Sequence, residues 1–369
     1  MVREAKQCKQ CGRKIYFDGI CISCRAENER KEILDLSDWE VEEKIGEICG
    51  RVKEIGEWKE IYDLCMKLIR YRDINTCRIA EAAWKEGVIR CQELYKDAPD
   101  RIVDEMIKRL GDDVTDSRTA GYLLLCLAQA GGEKVFRAFL DWERQPRKWR
   151  EKLYVGPAVY ATYGGWSFDS EGNYLETNFG KCYPMVKGTE EEKGKSPVKI
   201  GVGTGERCPH CGGRIMNLLE IDGRDPRLDF LGIDGKVKAK CCPNCFPYDE
   251  GGFCRYEIDG ESEIIPYEKN GFEACLEDGD MEEMERNTYV LGNTPVPLRY
   301  AADWEGGSSI GGFAFWIQDC EIRSCPCCGK PMKYLAQIQW DTVMDGMEGN
   351  AYIEICKECK IMAVLHQQT

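Results

Sequence analysis

The rhythm of apolar and polar residues changes once along this chain. From about residue 26 to 152, apolar residues return every three or four positions, which predicts helices. They read as VEEKIGEICGRVKEI after Ser37, EWKEIYDLCMKLIRYR from 57 and TCRIAEAAWKEGVIRCQELY from 76. DRIVDEMIKRL near 100, SRTAGYLLLCLAQAG from 117 and GEKVFRAFLDWERQ from 132 complete the set. Ser37 with Glu40 three residues on has the form of a capping box. The segment around Leu123–Leu127 is apolar on every side and should lie centrally. Helix starts at 57 and 98, and at 76 and 116, are offset by 41 and 40 residues. That spacing suits HEAT-type repeats, with an irregular bundle as the alternative.

At 153 the texture turns to short alternating runs broken by glycine, which predict strands. LYVGPAVYATYGGWSFD and GNYLETNFGKCYPMV come first, then FCRYEID, GNAYIEIC and KIMAVLHQQ. KGTEEEKGKSPVK at 187–199 reads as an exposed loop, and the GVGTG of Gly201–Gly205 as a flexible turn. GVGTG lacks the spacing of a phosphate loop. The fold class expected is α+β: an N-terminal zinc ribbon (1–28), an α-helical region (29–152), and a β-rich domain of two related zinc-pinned units (153–256 and 257–369).

Cysteine changes the picture most. The chain has 23 of them in 369 residues, an odd number that excludes complete internal pairing. No apolar run approaches the ~18 residues of a membrane span, and the first residues lack the apolar core of a signal peptide. A cytoplasmic protein is the expectation, and there clustered thiols hold metal more often than disulfides. Cys8 and Cys11 form one CxxC knuckle and Cys21 and Cys24 the next, joined by KIYFDGI with Asp18-Gly19 as a hairpin turn. Further on, CPHCGGRIMNLLEID at 208 and CPCCGKPMKYLAQIQWD at 325 align without gaps. Cys208 matches Cys325, Cys211 matches Cys328, Gly212 matches Gly329, and Leu218 matches Leu335. Each copy is followed by a second knuckle, Cys242–Cys245 and Cys356–Cys359.

Three four-cysteine sets follow, each suited to tetrahedral zinc with no open position. Glycine after the second cysteine supplies the positive φ that turns backbone amides toward sulfur. Two ambiguities stand. Cys241 adjoins Cys242, but Cys242 alone has the two-residue spacer and is the expected ligand; Cys327 and His210 lie inside knuckles and should point outward, with His210 as the alternative ligand. An iron–sulfur cluster is the alternative metal. Cys49, Cys65, Cys77, Cys91 and Cys126 lack ligand spacing and read as core thiols.

The formal charge is −14. Three zinc-tetrathiolate sites, each contributing −2, would bring it to about −20. That balance opposes general nucleic-acid binding. Residues 1–30 nonetheless hold seven Lys or Arg against four acids, so a local contact through the ribbon stays open. Only His210 and His366 are present, too few for a usual catalytic zinc or a supported Cys–His pair. A non-enzymatic role is expected. From Glu257 to Arg286 there are twelve acids and two bases. This run is either a solvated connector or a negative surface for a basic protein. The candidate contacts are Glu257, Asp259, Glu261, Glu263, Tyr267, Glu277, Asp278, Asp280, Glu282 and Glu283, with Tyr256 and Phe272 as further aromatic anchors.

The last sixty residues resemble the YwqG-like family of bacterial proteins. The resemblance rests on Gly311-Gly312 before Trp316-Ile317-Gln318, the CPxCGxPMxxLAQ phrase from Cys325 to Gln337, and the closing strand after Cys359. The same order is similar to that of the programmed-cell-death-2 proteins, and the earlier copy resembles the family's first half. The likeness covers about residues 153–369. A proline common after the Gly pair is replaced here by Ala314. The resemblance implies either an immunity protein that occludes a cognate toxin or a chaperone-like escort of a basic ribosomal protein.

Overall fold

A computed structural model describes residues 5–12, 14–57, 60–112, 115–248, 252–266, 276–344 and 347–369. Strands β1 (Lys6–Gln7) and β2 (Lys14–Ile15) pair across the first knuckle. The expected hairpin between the two knuckles does not form. Instead Cys21 caps α1 (Ile22–Leu34) and Cys24 lies in its first turn. The reason is electrostatic: a helix N-terminus offers amides and positive dipole to thiolate sulfur, which a second hairpin would not. Helix α1 crosses residue 28, so ribbon and helical region are continuous.

Helices follow in chain order: α2 (Asp38–Gly50), α3 (Val52–Ile55), α4 (Glu60–Arg72), α5 (Cys77–Lys85), α6 (Asp100–Gly111), α7 (Ser117–Ala130), α8 (Gly132–Arg144) and α9 (Pro157–Thr162). The capping box of α2 is present, with Ser37 N–H donating to Glu40 Oε2 at 2.8 Å. Leu123, Leu124, Cys126 and Leu127 of α7 are fully buried, as its all-round apolarity requires. Starts at 60 and 100, and at 77 and 117, keep the 40-residue offset. The packing is less regular, since α6 lies on α7 while α5 lies on α2. Helix α9 replaces an expected strand, started by Pro157 at its first turn.

The β region opens with the hairpin β3 (Trp166–Phe168) and β4 (Tyr174–Glu176), then β5 (Cys182–Lys187). The expected loop at 187–199 contains a short helix, α10 (Glu190–Lys195), closed by a Thr189–Glu192 capping box. Strands β6 (Val198–Arg207), β7 (Arg214–Asp222) and β8 (Lys236–Cys241) form a three-stranded sheet. GVGTG is therefore strand, not turn. Gly201 and Gly203 are needed because α11 (Asp278–Glu285) lies across them: a Cβ on Gly201 would come within 2.8 Å of Met284, and one on Gly203 would strike the Glu285 carboxylate. The remaining strands are β9 (Phe253–Tyr256), β10 (Ser262–Ile264), β11 (Tyr289–Leu291), β12 (Ser309–Gly311), β13 (Lys333–Gln339), β14 (Asn350–Cys356) and β15 (Ile361–Gln367). With β5 they form an eight-stranded sheet in the order β10-β9-β15-β14-β13-β12-β5-β11. Residue 256, the expected end of the first unit, falls at the turn of the β9–β10 hairpin in this sheet.

The duplication seen in sequence recurs in register. Met216 pairs with Cys241 as Lys333 pairs with Ile355, and both pairings slip at the equivalent leucine, Leu218 or Leu335. Preceding strands match too: Ile200 faces Leu219 as Ile310 faces Ala336. The two sheets share one core, which joins Leu218, Leu219 and Ile221 to Leu335, Ile353 and Ile355. The second copy differs by an insertion, residues 312–324, between β12 and its knuckle. This segment covers the opposite face of the eight-stranded sheet over a smaller core of Tyr334, Tyr352 and Leu365. Gln337 and Gln367 fasten it: Gln337 Oε1 accepts from Phe315 N (2.8 Å) and Gln367 Oε1 from Gln318 N (3.0 Å).

Candidate metal centres

Each CxxC turn is local, because two residues suffice to bring two sulfurs together. The halves meet where β1–β2 faces α1, and where the hairpins β7–β8 and β13–β14 return beside their starting knuckles. Three groups result: Cys8, Cys11, Cys21 and Cys24; Cys208, Cys211, Cys242 and Cys245; Cys325, Cys328, Cys356 and Cys359. Within each, all four sulfurs lie within 4.8 Å of one another.

The spacing tests the metal. Sulfurs about 2.3 Å from a tetrahedral zinc stand about 3.8 Å apart, whereas a disulfide needs about 2.05 Å. The separations are 3.8 Å for Cys8–Cys24 and 3.6 Å for Cys11–Cys21. Cys208–Cys245 and Cys211–Cys242 stand at 3.7 and 3.5 Å, and Cys328–Cys356 at 3.9 Å. All fit zinc, and no described cysteine is in a disulfide. Zinc held this way has four thiolate ligands, so these centres fold the chain and leave no coordination position for a reacting water.

Backbone groups prepare the sulfurs. Gly12, Gly212 and Gly329 adopt φ of 76°, 73° and 71°, closing three equivalent knuckles. Cys21 N donates to Cys8 Sγ at 3.1 Å, Cys24 N to Cys21 Sγ at 3.4 Å, and Gly213 N to Cys211 Sγ at 3.4 Å. The amide of Cys11, helped by that of Cys21, brings the Cys8 thiol down to about 6. For Cys208 and Cys325, burial raises the pKa, but knuckle amides and neighbouring thiols outweigh it and the net shift is downward. Burial pushes Cys242 up to about 12 and Cys356 up to about 11, with neighbouring sulfur charge adding to each. Four crowded thiols of this kind ionise together only around a cation.

The centres differ in exposure. Cys242 and Cys245 are fully buried, while Cys356 and Cys359 are half-buried and Cys11 is exposed. Cys241 points into the core beside the second centre, Cys327 is exposed, and neither these nor His210 belongs to a cluster. His366 accepts the Trp340 indole N–H at Nδ1 (2.9 Å), and burial lowers its pKa. Among the described residues no helix is long and apolar enough to cross a membrane.

The acidic run is partly folded back on the protein. Helix α11 buries Met281 and Met284. Asp278 makes two bonds to Arg207 (3.1 and 2.8 Å), and Glu282 pairs with Arg286 at 3.0 Å. Glu257 pairs with Lys360, and Glu277 and Asp280 form the capping box of α11. Asn244, in the second centre's knuckle, exchanges hydrogen bonds with the Leu276 backbone (2.7 and 3.3 Å), tying the run to that centre. Asp259, Glu261, Glu263 and Glu283 are exposed. Tyr256 is buried, so it is no surface anchor, because β9 is sandwiched between β10 and β15. Tyr267 and Phe272 lie outside the described residues.

Glu354 is the residue the sequence reading missed. It lies under the 312–324 insertion with no exposed surface, and Oε2 accepts from Arg323 N at 2.9 Å while Oε1 has no partner among the described residues. Burial raises its carboxyl to about 8. Its only signal was an acid between two isoleucines in an otherwise apolar strand.

No protein-family model matches the chain, and no solved structure does. Among curated proteins, the "Uncharacterized protein YpfL" of Salmonella typhimurium is 28% identical to it over 279 residues. That alignment takes in 74% of this chain and 64% of YpfL, so the chain spans less than two thirds of YpfL's length.

Proposed function

We propose that this protein is a zinc-stabilised protein-binding module of the YwqG-like kind, acting as an immunity-type protein that neutralises a basic toxin by covering it. The observation that carries the reading is the closure of all three metal centres by four sulfurs each. Metal here builds a surface rather than a reaction site. The acids of the β9–β10 turn and strand, Asp259, Glu261 and Glu263, support a basic partner by charge. Purified tagged protein should retain one basic protein from a lysate of its source, in equimolar amount, through a moderate salt wash, and should abolish that protein's activity. Retention of many unfolded basic chains would instead favour the ribosomal escort.

A second reading has its own observation. Tyr16 and Phe17 are 51% and 41% exposed on the ribbon, and Lys14 Nζ stands 5.5 Å from the Tyr16 ring. Such a platform suits stacking of single-stranded nucleic acid. Steeply salt-dependent oligonucleotide binding, lost in Tyr16→Ala, would replace the first reading.

A further inference from the structure

Three remote parts of the chain meet at one cleft. The start of α1 supplies Ile22, one residue beyond the metal ligand Cys21. The segment before β12 supplies Trp304, and the sheet with its covering insertion supplies Phe315, Ile317 and Met347. Together they line a cavity of about 270 Å³. Ile22 and Trp304 are 60% and 53% exposed, unusual for such side chains side by side. Trp304 stands edge-on to Phe315 at 5.6 Å.

The Trp304 wall is held from both domains. Gln339 Nε2 donates to the Trp304 carbonyl (3.2 Å), and Gln339 Oε1 accepts from Gly307 N (2.9 Å). On the helical side Asp303 pairs with Arg70 (3.0 Å) and takes a bond from Tyr71. Arg30 of α1 donates to the Glu305 carbonyl at 2.5 Å, its guanidinium lying 5.0 and 4.6 Å from the rings of Tyr71 and Tyr300. A preformed wall of this kind loses little entropy on binding.

Charge and size select the occupant. Glu305, Asp341 and Glu348 line the cavity, and no Lys or Arg among the described residues does. Small-molecule sites occupy roughly 300–1,000 Å³, so this cavity suits a single large side chain better than a cofactor. We propose that this cleft is where a basic segment of a partner protein docks, inserting one large apolar side chain against Ile22, Trp304 and Phe315 while flanking cations meet the three acids. The proposal rests on the protein-binding reading above and moves its contact surface from the acidic run to the cleft. It also gives the first zinc centre a task, since that centre caps the helix that begins with Ile22.

The test uses the zinc-loaded full chain and a short fluorescein-labelled peptide with one phenylalanine flanked by arginines, followed by anisotropy. Trp304→Ala should weaken binding about tenfold or more, as loss of a buried aromatic anchor does. Glu348→Gln should weaken it a few-fold and reduce its salt dependence. A peptide with glycine for the phenylalanine should bind about tenfold more weakly, and Glu261→Gln with Glu263→Gln should weaken binding less than Glu348→Gln does. Unchanged circular dichroism and zinc content would exclude misfolding of the Trp304 variant. If binding survives Trp304→Ala and falls with the Glu261 and Glu263 changes, the cleft is refuted while the protein-binding reading stands. No binding of the arginine peptide to the intact chain also refutes the cleft, and the lysate experiment then judges the broader reading. Preference for a glutamate-flanked peptide refutes both.

Discussion

Gln337 offers a sharp test of how the second β unit holds its insertion. Its side chain is fully buried, and Nε2 donates to the carbonyls of Gly307 (2.8 Å) and Ala301 (3.3 Å). Oε1 accepts from Phe315 N at 2.8 Å. Gln337→Leu keeps the volume but leaves three main-chain groups without a partner, at about 1–3 kcal/mol each. The apolar gain of leucine offsets about 1–2 kcal/mol, so the net loss should be about 1–8 kcal/mol. The duplication supplies the control. The equivalent residue in the first copy is Glu220, half-exposed on a face with no insertion, where Oε1 accepts from Asn217 Nδ2 (2.7 Å), so Glu220→Leu should cost about 1 kcal/mol and leave the 299–318 peptides unchanged. Hydrogen exchange on peptides spanning 299–318 reads the effect locally. At about 1.4 kcal/mol per tenfold, a loss near 3 kcal/mol lowers protection of the Phe315 amide roughly a hundredfold. Protection within threefold of the parent would refute the clamp, as would an equal effect from Glu220→Leu.

Other outcomes follow from the centres and the buried acid. Native mass spectrometry should find three zinc ions per chain, and chelator titration with a colorimetric zinc indicator should empty the half-buried third centre before the buried second. Cys241→Ser should retain three zinc ions, whereas Cys242→Ser should retain two and destabilise the core shared by both sheets. For Glu354, burial raises the folded carboxyl from an ordinary 4.5 to about 8. Its stabilising effect is therefore complete below pH 4.5 and is lost as pH rises through about 8, on the order of 5 kcal/mol in all. Glu354→Gln should flatten that profile in urea unfolding followed from pH 5 to 9; an unchanged slope would contradict a neutral buried acid.

What could be read from the sequence alone was chemistry written at short range. A CxxC turn needs two intervening residues and a glycine, so twelve ligands and their grouping were legible before any fold was known. The capping box at Ser37 and the burial of α7 were legible for the same reason, as was the duplicate phrase. Its common register slip at Leu218 and Leu335 shows that a repeat in sequence carried a repeat in backbone. Tertiary structure decided whatever depends on partners far along the chain. Gly201 and Gly203 looked like a turn until α11, some eighty residues on, was found lying against them. Asp278 and Glu285 looked like free surface until Arg207 and Arg214 were found opposite them. Glu354 became a buried acid only when the 312–324 insertion covered it, and Ile22 and Trp304 became one wall only through α1 docking. Local spacing sets which atoms can share a metal. Which faces stay open to solvent is set by the long-range burial of apolar surface, and no window of sequence contains that.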